Sequence, residues 1–154
     1  MKVEDDRYFL SQLKRHEGFS LEAYRCSAGV LTIGWGHNCK AQPVSGVQKV
    51  GDVISRGTAE NLLYGDVKAV AAELDDRLPW WREMGFPRQA VFLNMAFNMG
   101  VPKLLRFKKA LRAAKAGDWN GTAREMLDSR WAEQVKNRSA ELATQMVTGA
   151  WQEG

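Results

Sequence analysis

The run QAVFLNMAFNM at residues 89–99 leaves a helix no side to turn toward water. Pro87 opens it, apolar residues fall on nearly every face, and a helix of that kind has to sit in the middle of a core. Other amphipathic helices must therefore surround it. The following sequence supplies them: Pro102 to Lys115 closed by Gly117, Trp119 to about Ser129, and Asn137 to Thr148 each read as short helices with one apolar side. At 154 residues the chain is long enough to bury about 70% of its unfolded surface, and 45% apolar with 26% charged residues is an ordinary globular balance. No apolar run approaches the ~20 residues of a spanning helix, and the N-terminus has no apolar signal core. The reading is a protein made and kept soluble in the cytoplasm, without a stable membrane anchor.

Upstream the pattern changes. A first helix is expected from about Val3 to Glu17, with Glu4, Asp5 and Asp6 in its first turn, an apolar stripe of Phe9, Leu10 and Leu13, and Gly18 ending it. A β-rich segment, Ala23 to His37, follows, then a loop from Asn38 to about Val53 that reads as a cover or flap. Thr58 is the expected N-cap of a long helix whose Leu63, Val67, Val70, Leu74 and Leu78 recur three or four residues apart. At roughly 20 residues it would span about 30 Å. The expected fold is thus α+β and mostly helical. A small N-terminal β-hairpin lobe (about 12–60), a connecting helix (about 58–78) and a helical second lobe (about 79–154 plus the N-terminal helix) make one domain, with a ligand cleft expected between the lobes.

The net charge of +4 is unevenly placed: Pro102 to Arg138 holds ten Lys or Arg against four Asp or Glu, and Asp52 to Glu83 holds four against seven. The basic half suits an anionic partner such as nucleic acid, an acidic membrane surface or a bacterial wall, or simply a solvated face. It has no recognisable nucleic-acid motif, so a nucleic-acid partner is not expected. Cys26 and Cys39, thirteen residues apart with no CxxC and no paired histidines, argue against a metal site.

Ser27-Ala28-Gly29 fits a three-residue hairpin loop closed by a left-handed glycine. In that register Cys26 faces Val30 and Tyr24 faces Thr32, so Cys26 and Thr32 become diagonal neighbours on one face, able to converge on one water or one sugar carbon. Glu17 arrives from the helix leading into the hairpin. A carboxylic acid at the negative end of a helix dipole and shielded from water tends to keep its proton, as a glycosidase's general acid must. The bland alternative is a solvated Glu at a helix end.

The set Glu17-Gly18, Cys26 and Thr32-Ile33-Gly34-Trp35-Gly36-His37 resembles the phage-type lysozymes, the muramidases of the T-even phage kind. The family's signature is a helix-ending Glu-Gly, eight residues to an Asp or Cys, then five to a Thr in a T-I-G-x-G-H run. The resemblance continues through residues 93–100, Phe107, Ser129-Arg130-Trp131, Asn137-Arg138 and residues 148–151. It implies a two-lobed lysozyme cutting the β-1,4 bond from N-acetylmuramic acid to N-acetylglucosamine in peptidoglycan, inverting, with no metal or cofactor. Glu17 would be the acid, with Cys26 and Thr32 handling the water. The reading is an endolysin that waits in the host cytoplasm until a holin lets it reach the wall, with a monomer as the default state.

The same resemblance gives His37 an ion pair with Asp66 and places Phe97, Asn98, Met99, Phe107 and Arg138 along the cleft, although Phe97 and Met99 would serve equally as core. Trp35 either stacks on a sugar or caps the hairpin core. For Cys26 three roles are open: a thiolate with a lowered pKa, a nucleophile giving a covalent intermediate, or a group that only orients water with Thr32. A Cys26–Cys39 disulfide that would block the site is a separate possibility. The rival functions are a lytic transglycosylase and an inactive wall-binding or virion module.

Overall fold

A computed structural model describes every residue, Met1–Gly154. The fold is α+β and mostly helical, with one three-stranded antiparallel sheet near the N-terminus and eight helices. No helix is long and apolar enough to cross a membrane. The chain divides into two compact units, Ser11–Lys68 and Met1–Leu10 with Ala69–Gly154.

The expected first helix is interrupted. Val3–Asp5 forms a single 3-10 turn, and α1 runs Arg7–His16. The break falls at Asp6, whose Oδ1 accepts the Tyr8 N–H at 2.8 Å, so it caps α1 rather than lying inside it. Glu17 lies just past α1 but still donates its N–H to Leu13 O at 2.9 Å.

In the Ser11–Lys68 unit, β1 (Ser20–Arg25), β2 (Leu31–Gly34) and β3 (His37–Asn38) are consecutive neighbours. Tyr24 pairs with Thr32 and Arg25 with Leu31, and Cys26 N–H donates to Val30 O at 3.0 Å, the register that the hairpin pattern predicts. Gly29 takes the left-handed conformation, φ 77°, that closes the turn. Side-chain alternation puts Ala23, Ile33 and Cys39 into a small core with Val47, and leaves Tyr24, Cys26 and Thr32 on the other face. The segment after β3 is stitched down rather than hanging as a flap. Ala23 N–H donates to Asp52 O at 2.7 Å, Gly51 N–H to Ala23 O at 3.0 Å and Ile54 N–H to Leu21 O at 2.9 Å, and Val44, Val47 and Ile54 join the core. Helix α2 (Arg56–Arg77) is capped by Ser55, whose Oγ accepts the Thr58 N–H at 3.1 Å. The cap therefore lies three residues before the expected Thr58, which serves in the first turn. Ala59, Leu63 and Val67 of α2 are buried in this unit.

In the other unit, α3 (Phe86–Met99) is buried continuously from Gln89 to Ala96, as its all-round apolar sequence requires. The expected helix from Pro102 is two pieces, α4 (Val101–Leu104) and α5 (Lys108–Lys115). Phe107 at ψ 55° breaks it, and its ring meets Trp131 edge to face at 6.3 Å. Helix α6 (Trp119–Leu127), capped by Asp118, packs on α5 and on α8 (Asn137–Thr148). The short α7 (Arg130–Val135) was not evident in the sequence pattern; Ser129 caps it by accepting the Ala132 N–H at 3.1 Å. Leu93, Met95, Leu104, Met126, Leu142 and Met146 are fully buried.

Candidate functional site

The candidate catalytic side chains all belong to the Ser11–Lys68 unit. Glu17 is half-buried and lies beside Gly36: a Cβ added to Gly36 would stand 4.0 Å from Glu17 Oε2. Gly36 has φ 76°, the left-handed conformation that the turn bringing β3 back beside this carboxylate requires. Burial, and then the nearby Cys26 and Glu17, push the Tyr24 phenol above its ordinary value, which places these groups in one electrostatic neighbourhood. Tyr24 was not singled out as a site residue, although its pairing with Thr32 is readable from the hairpin register.

Cys26 is half-buried just past β1. The N–H groups of Val30 and Ala28 lower its thiol below the usual range; burial opposes them, and the Thr32 hydroxyl and the Cys26 N–H add to the lowering. The cause is thus the hairpin backbone and not a cationic neighbour. Thr32 is buried and its Oγ1 donates to Val30 O at 2.8 Å. With one hydroxyl proton and two acceptors, Thr32 gives it to that carbonyl when Cys26 is a neutral thiol, and the thiolate competes for it. Cys26 and Cys39 are both free. Their side chains lie on opposite faces of the sheet, so a bond between them would have to pass through it, and burial raises the Cys39 thiol.

His37 is buried, with Nδ1 2.7 Å from Asp66 Oδ2 and Nε2 2.9 Å from Gln42 O. Both ring nitrogens are thereby occupied in holding β3 to α2 and to the loop. Trp35 is only 4% exposed. Phe19 lies 4.3 Å from its ring, with Lys14 Nζ at 4.8 Å and Arg56 Cζ at 5.2 Å over it. That packing answers the choice left by the sequence: Trp35 caps the hairpin and offers little face to a sugar, and the exposed aromatic of the cluster is Phe19.

The other predicted residues belong to the helical unit. Asn98 is exposed at the end of α3, and its Oδ1 accepts the Trp131 indole N–H at 2.8 Å, leaving the amide N–H groups to donate elsewhere. Asn98, Met99 and Phe107 line one cavity of about 480 Å³ with Trp131 and the cations Lys103, Arg106 and Arg130. No acidic side chain lines it. Lys103 and Arg106 were not named from the sequence, and Arg130 only within the Ser129-Arg130-Trp131 run, although the excess of Lys and Arg between residues 102 and 138 was the available signal. Phe97 is half-buried and does not line this cavity; neither does Arg138, whose Nε donates to the buried Asn94 Oδ1 at 2.9 Å.

Comparison with known proteins identifies the family. Residues 14–145 match the model of the phage lysozyme family. The chain is 30% identical over 89% of its length to the pre-baseplate central spike protein Gp5 of Enterobacteria phage T4, of which it spans only 27%. It is 28% identical to a probable T4-type lysozyme 1 of Dictyostelium discoideum, covering 89% of this chain and 92% of that one. It is also 28% identical to an endolysin of Acyrthosiphon pisum secondary endosymbiont phage 1, covering 81% and 77%. With the family's model matched across the hairpin and the helices that follow it, this chain belongs to the phage lysozyme family.

Proposed function

We propose that the protein hydrolyses the β-1,4 bond between N-acetylmuramic acid and N-acetylglucosamine in bacterial peptidoglycan, with inversion. Glu17 protonates the leaving oxygen, and the separately placed Cys26 and Thr32 hold the attacking water, the division of labour an inverting glycosidase requires. The thiol, drawn toward its ionised form by the hairpin amides, takes the water's proton. The observation that carries this reading is Cys26 and Thr32 on one sheet face in the electrostatic neighbourhood of Glu17. Asn98, Met99 and Phe107 contribute sugar contacts, Phe97 supports them, and Arg138 orients the buried Asn94 beside them. His37 and Asp66 act structurally. Neither metal nor cofactor takes part. The biological setting proposed is host lysis: a monomeric endolysin, held in the host cytoplasm until a holin opens the way to the wall. A second reading, a lysozyme module of a virion, has its support in the match to a spike protein.

The test is mass spectrometry of muropeptides released from purified peptidoglycan by the wild type and by Glu17→Gln. Hydrated muramic acid reducing ends, lost in the variant, are expected. Anhydro ends, lighter by one water, would make the enzyme a lytic transglycosylase. Wall binding without cleavage by the wild type would make it a binding module.

A further inference from the structure

A second cavity of about 460 Å³ lies between the segment leading into α3 and the end of α5 with the turn that follows it, and it shares no lining residue with the cavity at Asn98. Trp80, Glu83, Met84, Gly85, Lys115 and Trp119 line it. Its volume falls within the range of about 300–1,000 Å³ typical of small-ligand sites.

Both indoles are pinned in place. Arg88 Cζ sits 4.2 Å from the Trp119 ring centre while its guanidinium donates to Met146 O at 2.8 Å and Val147 O at 3.0 Å. Trp80 meets Phe92 edge to face at 6.3 Å. Trp81 and Trp131 spend their indole N–H groups inside the protein, on Asp75 and Asn98. Those of Trp80 and Trp119, both lining the cavity, make no such bond within the protein. Glu83 and Lys115 are exposed and enter no ion pair, and a Cβ added at Gly85 or Gly117 would meet nothing within 4 Å.

The chemistry of the lining selects its occupant. Fixed aromatic faces accept the C–H face of a pyranose, indole and ammonium N–H groups donate to its oxygens or to an N-acetyl carbonyl, and a carboxylate accepts from its hydroxyls. A polyanion would meet Glu83, and an apolar ligand would bury Glu83 and Lys115 without partners. We infer that this cavity is a second, non-catalytic site for the amino-sugar glycan strand, an assignment that rests on the lysozyme reading for the identity of the polymer.

The test needs no turnover. Glu17→Gln protein is titrated with the N-acetylglucosamine tetramer while the indole and amide resonances are followed by NMR. The expected result is saturable shifts of the Trp80 and Trp119 indole N–H signals and of the Gly85 and Gly117 amides. Adding Glu83→Gln, which removes no internal bond, should weaken that response at least tenfold and lower sedimentation with insoluble sacculi at least threefold. Adding Trp80→Ala, with its melting temperature checked, should do the same. Indole signals that do not move, or unaltered affinity in Glu83→Gln, would overturn the inference even if muropeptide release had established the lysozyme. Failure of muropeptide release with saturable indole shifts would instead count against the hydrolase and leave the glycan site standing.

Discussion

Arg82→Met isolates the most concentrated electrostatic feature of the helical unit. The guanidinium grips Glu4 through Nη1–Oε1 at 2.6 Å and Nη2–Oε2 at 2.9 Å, and reaches Asp75 through Nε–Oδ1 at 2.8 Å. Side-chain exposure separates the two partners: 8% for Glu4 and 43% for Asp75. The Asp75 arm is solvent-screened and contributes about 0.5 kcal/mol. Losing the other arm strands a buried carboxylate, which costs about 3 kcal/mol. For a protein of this length a loss of about 3 kcal/mol lowers the melting temperature by roughly 6–12 °C. The pH dependence has a definite sign. In the wild type burial pushes the Glu4 carboxyl up, but the Arg82 hydrogen bond and charge outweigh it and hold Glu4 below its ordinary value; Arg82 lowers Asp75 as well. Stability from such depressed groups is present above the unfolded-state value and is lost as pH falls through the folded one. In the variant burial and the Asp5 charge still push Glu4 up and only its own backbone N–H opposes them, so protonation of Glu4 then favours the folded state. The gap between the proteins should therefore be widest near pH 7 and should narrow well before pH 3. Urea melts of both proteins across that range measure it. A difference under about 1 kcal/mol at pH 7, or one unchanged at pH 3, would refute the assignment of Glu4 as a buried partner held by Arg82.

Three further outcomes are expected. Cys26→Asp should retain muramidase activity with its acid-side limb shifted down toward the carboxylate range near pH 4, while Cys26→Ser should lose at least about tenfold in kcat; a serine variant within threefold of wild type would leave the thiol as a water-orienting group only. His37→Ala should cost about 2–3 kcal/mol in denaturant melts with little change in kcat, since it strips the ring from Asp66 and Gln42; a kcat collapse in a folded variant would make His37 catalytic. Gly149→Ala should destabilise by about 1–2 kcal/mol, because φ is 68° there and the new Cβ would come within 2.9 Å of the Arg88 guanidinium; an unchanged melting temperature would show that Arg88 gives way freely.

The elements legible in the sequence are those whose signal is local. The hairpin register follows from a three-residue turn with Gly29, and the buried helix follows from apolar residues on every face, because neither depends on what packs against it. The errors lie where tertiary contacts decide. Asp6 turns from a first-turn acid into a cap, Phe107 breaks a continuous amphipathic pattern to pack against Trp131, and the loop after β3 is pulled onto β1 by backbone hydrogen bonds that leave no periodicity. The same division holds at the site. The pairing that puts Cys26 and Thr32 on one face is a backbone matter and was readable. The burial of Trp35 under Phe19, Lys14 and Arg56 needs three residues from separate elements and was not.

A cysteine can stand where a carboxylate is expected because the hairpin supplies what the side chain lacks. A carboxylate ionises without help in neutral solution; an ordinary thiol does not, and only a few per cent of it is thiolate there. The N–H groups of Val30 and Ala28, with the Thr32 hydroxyl adding to them, draw the thiol below its usual range, while that hydroxyl donates to Val30 O. These donors are fixed by the turn itself and cost no reorganisation when charge develops. Cys39, in the turn just past β3, makes the contrast: packed among Ala23, Ile33 and Val47, its thiol is raised by burial and then by the Asp66 charge. Reactivity therefore follows the face of the sheet. Of the two thiols, the one paired near Thr32 is the one drawn toward its ionised form, as the role proposed for Cys26 requires.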